Sequence, residues 1–330
     1  MDRYDLLQVW LETRFPGERY EISPASSDAS FRRYFRVALH GTTQIVMDAP
    51  PDKEDCRPFI HVTGLMQAAG LHVPQILASN LEQGFLLLSD LGSVTYLNAL
   101  QGDNPHALFL DAIDALVKWQ LATRADELPP YDEALLLREL NLFPDWYVAK
   151  HLQLELTTAQ RERLQALFAL ILKNNLAQPA VYVHRDYMPR NLMVATPNPG
   201  ILDFQDAVIG PITYDVASLF RDAFISWDEE QVLDWIIRYW EKARKAGLPV
   251  RDDFADFYRD VEYMGLQRHL KVAGIFARIN YRDGKSHYLP DIPRFIDYIR
   301  HTCERYGELR PMLKLLDEIH AVEAKVGFTF

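Results

Sequence analysis

Between Val181 and Asp206 the chain alternates short apolar runs with a fixed set of polar residues. Val181-Tyr-Val183 leads into His184-Arg-Asp186, Leu192-Met-Val194 follows Asn191, and Gly200-Ile-Leu202 ends at Asp203. Short apolar runs bounded by turn residues read as strands. Asp186, Asn191 and Asp203 are therefore offered from strand ends in one small sheet, and the rest of the chain must be built around that unit. A single loop Asp is usually a turn cap. His-Arg-Asp-x4-Asn, followed 12 residues later by a strand-terminal Asp-Phe, is more than turn capping accounts for. A hard divalent cation takes oxygen ligands from a carboxylate and an amide, with phosphate oxygens completing the shell. Asn191 and Asp203 supply such ligands, which leaves Asp186 to accept a proton from an attacking hydroxyl. The spacing lets one loop, shaped by Pro189 and its flanking strands, carry the base and one metal ligand.

Around this unit the pattern divides in two. Residues 4–15 read as an amphipathic helix, Ser26–Ser30 as a polar turn, and Phe31–Val37 as a strand. On that strand Phe31, Arg33, Phe35 and Val37 share one face, and Arg32, Tyr34 and Arg36 the other. Gly41-Thr-Thr43 closes a hairpin onto Gln44–Asp48. A helix over 53–69 stops at Gly70, and strands follow at 76–79 and 84–89. Beyond Asp90-Leu-Gly92 helical periodicity dominates, at 94–101, 106–123, 131–151 and 157–175. A strand-and-loop island follows over 180–212, and the chain is then helical almost to its end. The expected architecture is α+β, with a small β-rich lobe (1–88), a hinge (89–92) and a large, mainly helical lobe (93–330). A ligand is expected at the hinge, since ligands favour domain boundaries.

Composition narrows the function classes. The 330 residues carry 35 Lys and Arg against 46 Asp and Glu, a formal charge of −11, which disfavours a nucleic-acid binder. Two cysteines cannot build a disulfide scaffold or a four-ligand zinc site. The first 15 residues lack the apolar core of a signal peptide, and no apolar run approaches the ~20 residues of a membrane span. A cytoplasmic monomer without a membrane or nucleic-acid partner is expected.

The motif block resembles the protein-kinase-like superfamily: His184-Arg-Asp…Asn191 matches its catalytic loop and Asp203-Phe its metal-binding loop. Only seven residues separate Asp203 from Pro211, too few for a regulatory activation segment of about 20–30 residues. Neither an Ala-Pro-Glu signature nor a G-x-G-x-x-G occurs where a protein kinase has them. The element order resembles instead the aminoglycoside phosphotransferase/choline-kinase branch, which acts on small molecules. Asp28–Arg36, Met47–Pro51, Asp203–Pro211 and Gly265–Lys271 narrow the likeness to sugar kinases of cell-wall recycling. Those enzymes phosphorylate the anomeric hydroxyl of N-acetylmuramate and N-acetylglucosamine. The resemblance implies a bilobal protein-kinase-like fold, ATP and Mg²⁺ as cosubstrates, and a sugar 1-phosphate as product.

It also implies roles for further residues. Adenine would lie on the backbone at Ser89 and Leu91. Ser26, Ser27 and Ala29 are small enough for their N–H groups to approach phosphate. The strand that normally carries a phosphate-binding Lys offers only Met47. Arg33 is a substitute, its side chain either on phosphate or on a nearby acid. Asp215 would brace the catalytic loop, and His184 is a buried brace rather than a catalyst. Asp206, three residues past the metal ligand, either caps a turn or contacts the sugar. The basic stretch Arg268, Lys271, Arg278 and Arg282 is either a solvated helix face or an acceptor site for an anionic or neutral sugar. Two alternatives stay open: a kinase of another small acceptor (an aminoglycoside, choline or homoserine), and an inactive nucleotide-binding regulator, suggested by Met47.

Overall fold

The computed structural model describes residues 2–27, 31–101 and 105–326, with side chains through His320 except those of Ser26 and Ser27. The chain opens with α1 (Arg3–Arg14), β1 (Glu21–Ser27), β2 (Arg33–Leu39), β3 (Thr42–Asp48), α2 (Arg57–Ala68), β4 (Ile76–Asn80) and β5 (Phe85–Ser89). It continues through α3 (Tyr96–Ala99), α4 (Pro105–Leu121), α5 (Glu133–Leu140), a π-helical segment (Phe143–His151) and α6 (Thr158–Leu176). Then come β6 (Ala180–Val183), a 3₁₀ turn (Pro189–Asn191), β7 (Leu192–Met193), β8 (Gly200–Ile201) and β9 (Val208–Pro211). The last elements are α7 (Tyr214–Phe220), α8 (Glu229–Ala246), α9 (Phe254–Asp283), α10 (Ile292–Arg305) and α11 (Arg310–Val326). Two compact units result, one made of Met1–Asn104 with Arg190–Asp206, the other of Pro105–Pro189 with Ala207–Phe330. The first takes in the expected N-terminal lobe together with part of the 180–212 island.

In the first unit an antiparallel sheet runs β1-β2-β3-β5-β4. Arg33 pairs with Asp48, Phe35 with Val46 and Val37 with Gln44, so these six side chains share one face. That face is covered by α1, whose Leu7, Trp10 and Leu11 pack on Val37, Val46, Phe85 and Leu87. Each such fully buried side chain contributes about 1.5–3 kcal/mol. A capping box between Asp2 and Asp5 starts α1 where it meets the sheet. The structure differs here from the sequence expectation. Ser26 and Ser27 lie in β1, opposite Tyr34 and Arg33, and not in a polar turn; Ala29 lies outside the described residues.

The second unit is built on α9, a 30-residue helix capped by Asp253 and ended by Gly284 at φ +71°. It is buried almost continuously from Asp260 to Gly274, because other helices cover it on all sides. At Gly274 a Cβ would stand 2.3 Å from the carbonyl of Leu142, so only glycine admits this approach. The single helix expected over 131–151 is instead α5 followed by the π-helical segment. Pro144 sits at the start of that segment and has no N–H for a helical hydrogen bond. The β island is likewise two ladders, β6 with β9 in the second unit and β7 with β8 in the first.

Candidate active site

In the second unit, β6 ends at Val183 and the chain turns through His184-Arg185 with Arg185 at φ +76°. A non-glycine residue holds that conformation only where its surroundings enforce it. Asp215, on the first turn of α7, does so: its Oδ2 accepts the His184 N–H at 2.7 Å and its Oδ1 the Arg185 N–H at 3.0 Å. The Asp186 N–H donates to His184 Nδ1 at 3.2 Å, which places the imidazole proton on Nε2. Tyr187 donates from its hydroxyl to the Ala112 carbonyl at 2.7 Å. The backbone is thus held on both sides of Asp186, and His184 and Asp215 act as braces, as their sequence positions implied.

Burial raises the Asp215 carboxyl to about 7, against the pull of its two N–H donors. A group that keeps its proton longer in the folded state stabilises the fold at low pH. This contribution is complete below pH ~4 and fades as pH rises to about 7. Chemical denaturation from pH 4 to 8 should show this falling component in the wild type. Asp215→Asn should lack it while being less stable throughout, because an amide cannot accept both N–H groups.

A second anchor escaped sequence reasoning. Arg185 Nη2 meets Glu139 Oε1 at 2.6 Å, Lys271 Nζ lies 3.0 Å from the same oxygen, and Tyr131 donates its hydroxyl to Oε2. Lys271 also donates to the Tyr214 hydroxyl at 3.0 Å. Burial pushes the Glu139 carboxyl up, but Lys271 and Arg185 outweigh it and hold it below the usual range. Lys271 is therefore committed to an internal ion cluster.

In the first unit the 3₁₀ turn at Pro189–Asn191 leads into β7. Asn191 accepts the Leu202 N–H on its main-chain oxygen at 2.9 Å, and its side-chain Nδ2 lies 3.4 Å from Asp203 Oδ2. Gln205 Nε2 donates to Asp203 Oδ1 at 2.9 Å, and Asp203 sits at φ +63°. The buried Phe204 stacks on Phe59 of α2 at 4.9 Å, fixing the strand end that carries Asp203. Asn191 and Asp203 are side by side, offering hard oxygen donors. Among the described residues no group of three or more His, Cys, Asp or Glu could hold a metal alone. One carboxylate and one amide fit Mg²⁺, which keeps water and phosphate oxygens in its shell and does not need a full protein cage.

The remaining candidates are dispersed. Arg33 donates from Nε to Asp48 Oδ2 at 3.0 Å, on the face that α1 covers. Asp48 is fully buried and also takes Arg3 of α1, so of the two readings of Arg33 the structure realises the nearby acid. Arg32, just before β2, pairs with Glu54 at 2.8 Å. Arg36 binds Asp90 at 2.6 Å and the Gly92 carbonyl at 2.9 Å, tying β2 to the 89–92 segment. Ser89 exchanges hydrogen bonds with Gln75 through its hydroxyl and its N–H, and Leu91 packs against Gly200. Asp206 is exposed. The expected basic stretch is not one face: Arg268 and Lys271 are inside, Arg278 is half-buried, and Arg282 pairs with the neighbouring Asp283.

The Phosphotransferase enzyme family model matches residues 21–252. A protein of Neisseria meningitidis serogroup B named N-acetylmuramate/N-acetylglucosamine kinase is 52% identical and covers 100% of both chains. A Pseudomonas putida protein of the same name is 54% identical over 97% of each. The solved choline/ethanolamine kinase family protein of Mesorhizobium loti superposes with a TM-score of 0.66 at 11% identity, over 95% of this chain and 99% of that one. At that identity the likeness is one of fold, the α+β protein-kinase-like architecture.

Proposed function

The chain belongs to the Phosphotransferase enzyme family and is a kinase, and from that premise we propose that it moves the γ-phosphoryl group of ATP to the anomeric hydroxyl of N-acetylmuramate or N-acetylglucosamine. The observation that carries this reading is the full-length identity of 52% and 54% to kinases named for those two sugars. The braced Asp186 and the paired Asn191 and Asp203 support the chemistry. The product would be a sugar 1-phosphate, and in this reading the enzyme acts in peptidoglycan recycling as a cytoplasmic monomer. No helix among the described residues is long and apolar enough to cross a membrane.

Asp186 orients the acceptor hydroxyl and takes its proton on a carboxylate oxygen as the O–P bond forms and the bond from Pγ to ADP breaks. An anomeric hydroxyl is more acidic than an ordinary alcohol, which lightens this task. Asn191 and Asp203 would hold Mg²⁺, which neutralises charge on the β- and γ-phosphates when bound. Base and metal ligand are five residues apart in one loop, at most roughly 18 Å of chain. Positioning of the two substrates contributes the larger share of the rate.

For the nucleotide, the backbone at Ser89 and Leu91 would receive adenine and the N–H groups near Ser26, Ser27 and Ala29 the phosphates. Arg32 is better placed than Arg33 to supply the cation that Met47 does not. It immediately precedes β2 and has Glu54, not the buried Asp48, as its ion-pair partner. Arg32→Ala should raise the KM for ATP about tenfold, the loss of a charge-assisted contact. Arg33→Ala should leave that KM within about twofold and lower stability by roughly 1 kcal/mol, because Arg33 is half exposed. The reverse order of effects would return the phosphate role to Arg33. The acceptor itself is tested by measuring ATP consumption with N-acetylmuramate, N-acetylglucosamine, an aminoglycoside, choline and homoserine; turnover confined to the last three would overturn the sugar reading.

A further inference from the structure

The second unit carries another polar cluster, where the segment after α7 meets α9 and α10. Asp222 is fully buried, and its Oδ2 accepts the Phe224 N–H at 3.0 Å, while its Oδ1 has no hydrogen-bond partner among the described residues. Arg294 Nη1 is a buried donor that also lacks an acceptor among them. The one carboxylate that Arg294 approaches there is Asp291, at 3.8 Å. Arg268, 2% exposed, donates to the Arg221 carbonyl at 3.4 Å and to Met188 Sδ at 3.6 Å, and makes no ion pair among the described residues. The His269 ring stacks on Tyr298 at 4.8 Å, and the Tyr298 hydroxyl meets Ser226 Oγ at 2.8 Å.

Buried polar atoms are almost always paired, and each one left open costs about 1–3 kcal/mol. Two open atoms of opposite character on neighbouring side chains, Asp222 Oδ1 and Arg294 Nη1, point to a polar guest. The place is accessible, since Ser226 is exposed and Arg294 and Tyr298 are half-buried. It also adjoins the catalytic loop, because Arg268 touches Met188, two residues past Asp186. Arg268 and Arg294 face Asp222 closely enough to pull against the upward push of burial on its carboxyl. A carboxylate acceptor, a guanidinium with an open N–H and the aromatic face of Tyr298 together suit a pyranose with hydroxyl, acetamido and carboxylate groups.

We propose that Asp222 and Arg294 line the acceptor subsite, and that Arg294 receives the carboxylate of an acidic amino sugar. The inference rests on the sugar-kinase reading. It makes Arg294 the residue that separates N-acetylmuramate, which bears a lactyl carboxylate, from the neutral N-acetylglucosamine.

Titration calorimetry of both sugars, alongside turnover, tests it on the wild type and Arg294→Gln. That substitution removes only a long ion pair, so folding is spared. The expected result is at least a tenfold loss of affinity for N-acetylmuramate, with N-acetylglucosamine within about twofold and Arg294→Lys recovering part of the loss. Asp222→Asn should weaken both sugars. Unchanged binding of N-acetylmuramate by Arg294→Gln, or an equal loss for both sugars, overturns the assignment. If the wild type binds the sugars in the expected pattern but phosphorylates neither, the subsite stands and the sugar-kinase reading falls. If it phosphorylates both and Arg294→Gln binds like the wild type, the kinase reading stands and the subsite falls. A wild type that binds neither sugar overturns both.

Discussion

Replacing Asp186 by Asn should lower kcat by about 10²–10⁴-fold, the range spanned by loss of a positioned general base. The amide keeps the shape of the carboxylate but cannot accept the hydroxyl proton. The backbone on either side of the carboxylate is held by other groups. The His184 and Arg185 N–H groups go to Asp215, the Asp186 N–H goes to His184, and the Arg185 side chain goes to Glu139. Nucleotide affinity and melting temperature should therefore stay near wild-type values while turnover falls. The acidity of the anomeric hydroxyl puts the loss toward the lower end of the range. A kcat within tenfold of wild type, with a sugar acceptor, would mean that the proton leaves by another route.

Asp203→Asn should act through the metal. It removes the one carboxylate of the Asn191–Asp203 pair, and with it the charge that draws Mg²⁺ to the β- and γ-phosphates. A loss of several kcal/mol of transition-state stabilisation corresponds to roughly 10³-fold in kcat/KM. The diagnostic readout is the Mg²⁺ concentration at half-maximal rate, which should rise markedly in this variant and stay unchanged in Asp186→Asn. Phe204 keeps its stacking on Phe59, so the fold should tolerate the change. A normal Mg²⁺ dependence would remove Asp203 from the metal-binding role.

The catalytic motif and the division into a β-rich and a helical part were legible in the sequence because both rest on local patterns. Strand β1 was not. Its residues include Pro24 and three serines, and the register shifts between Pro24 and Ser26. An edge strand with a bulge tolerates such residues, so its composition resembles a turn. The alternation in β2 grouped Arg33 with Phe35 and Val37 correctly. It could not say that α1 would cover that face, since which face is buried is a tertiary matter. The same limit hid the Glu139–Arg185–Lys271 cluster, whose members lie far apart in the chain. The run of cations from Arg268 to Arg282 looked like one basic face. Within a helix buried on nearly all sides, its members meet different surroundings, an internal ion cluster for Lys271 and solvent with Asp283 for Arg282. The open Oδ1 of Asp222 was invisible for a related reason, because a buried acid with an unused acceptor has no local signature.

The central claim is that the phosphoryl group passes from ATP to the anomeric oxygen of an amino sugar. Phosphorus NMR of the product, with ATP, Mg²⁺ and N-acetylmuramate as substrates, tests it most directly. The account predicts a new phosphomonoester signal coupled to the anomeric proton and growing as ADP appears. A signal coupled to the protons on C6, or ADP formed with free inorganic phosphate and no sugar phosphate, would contradict it.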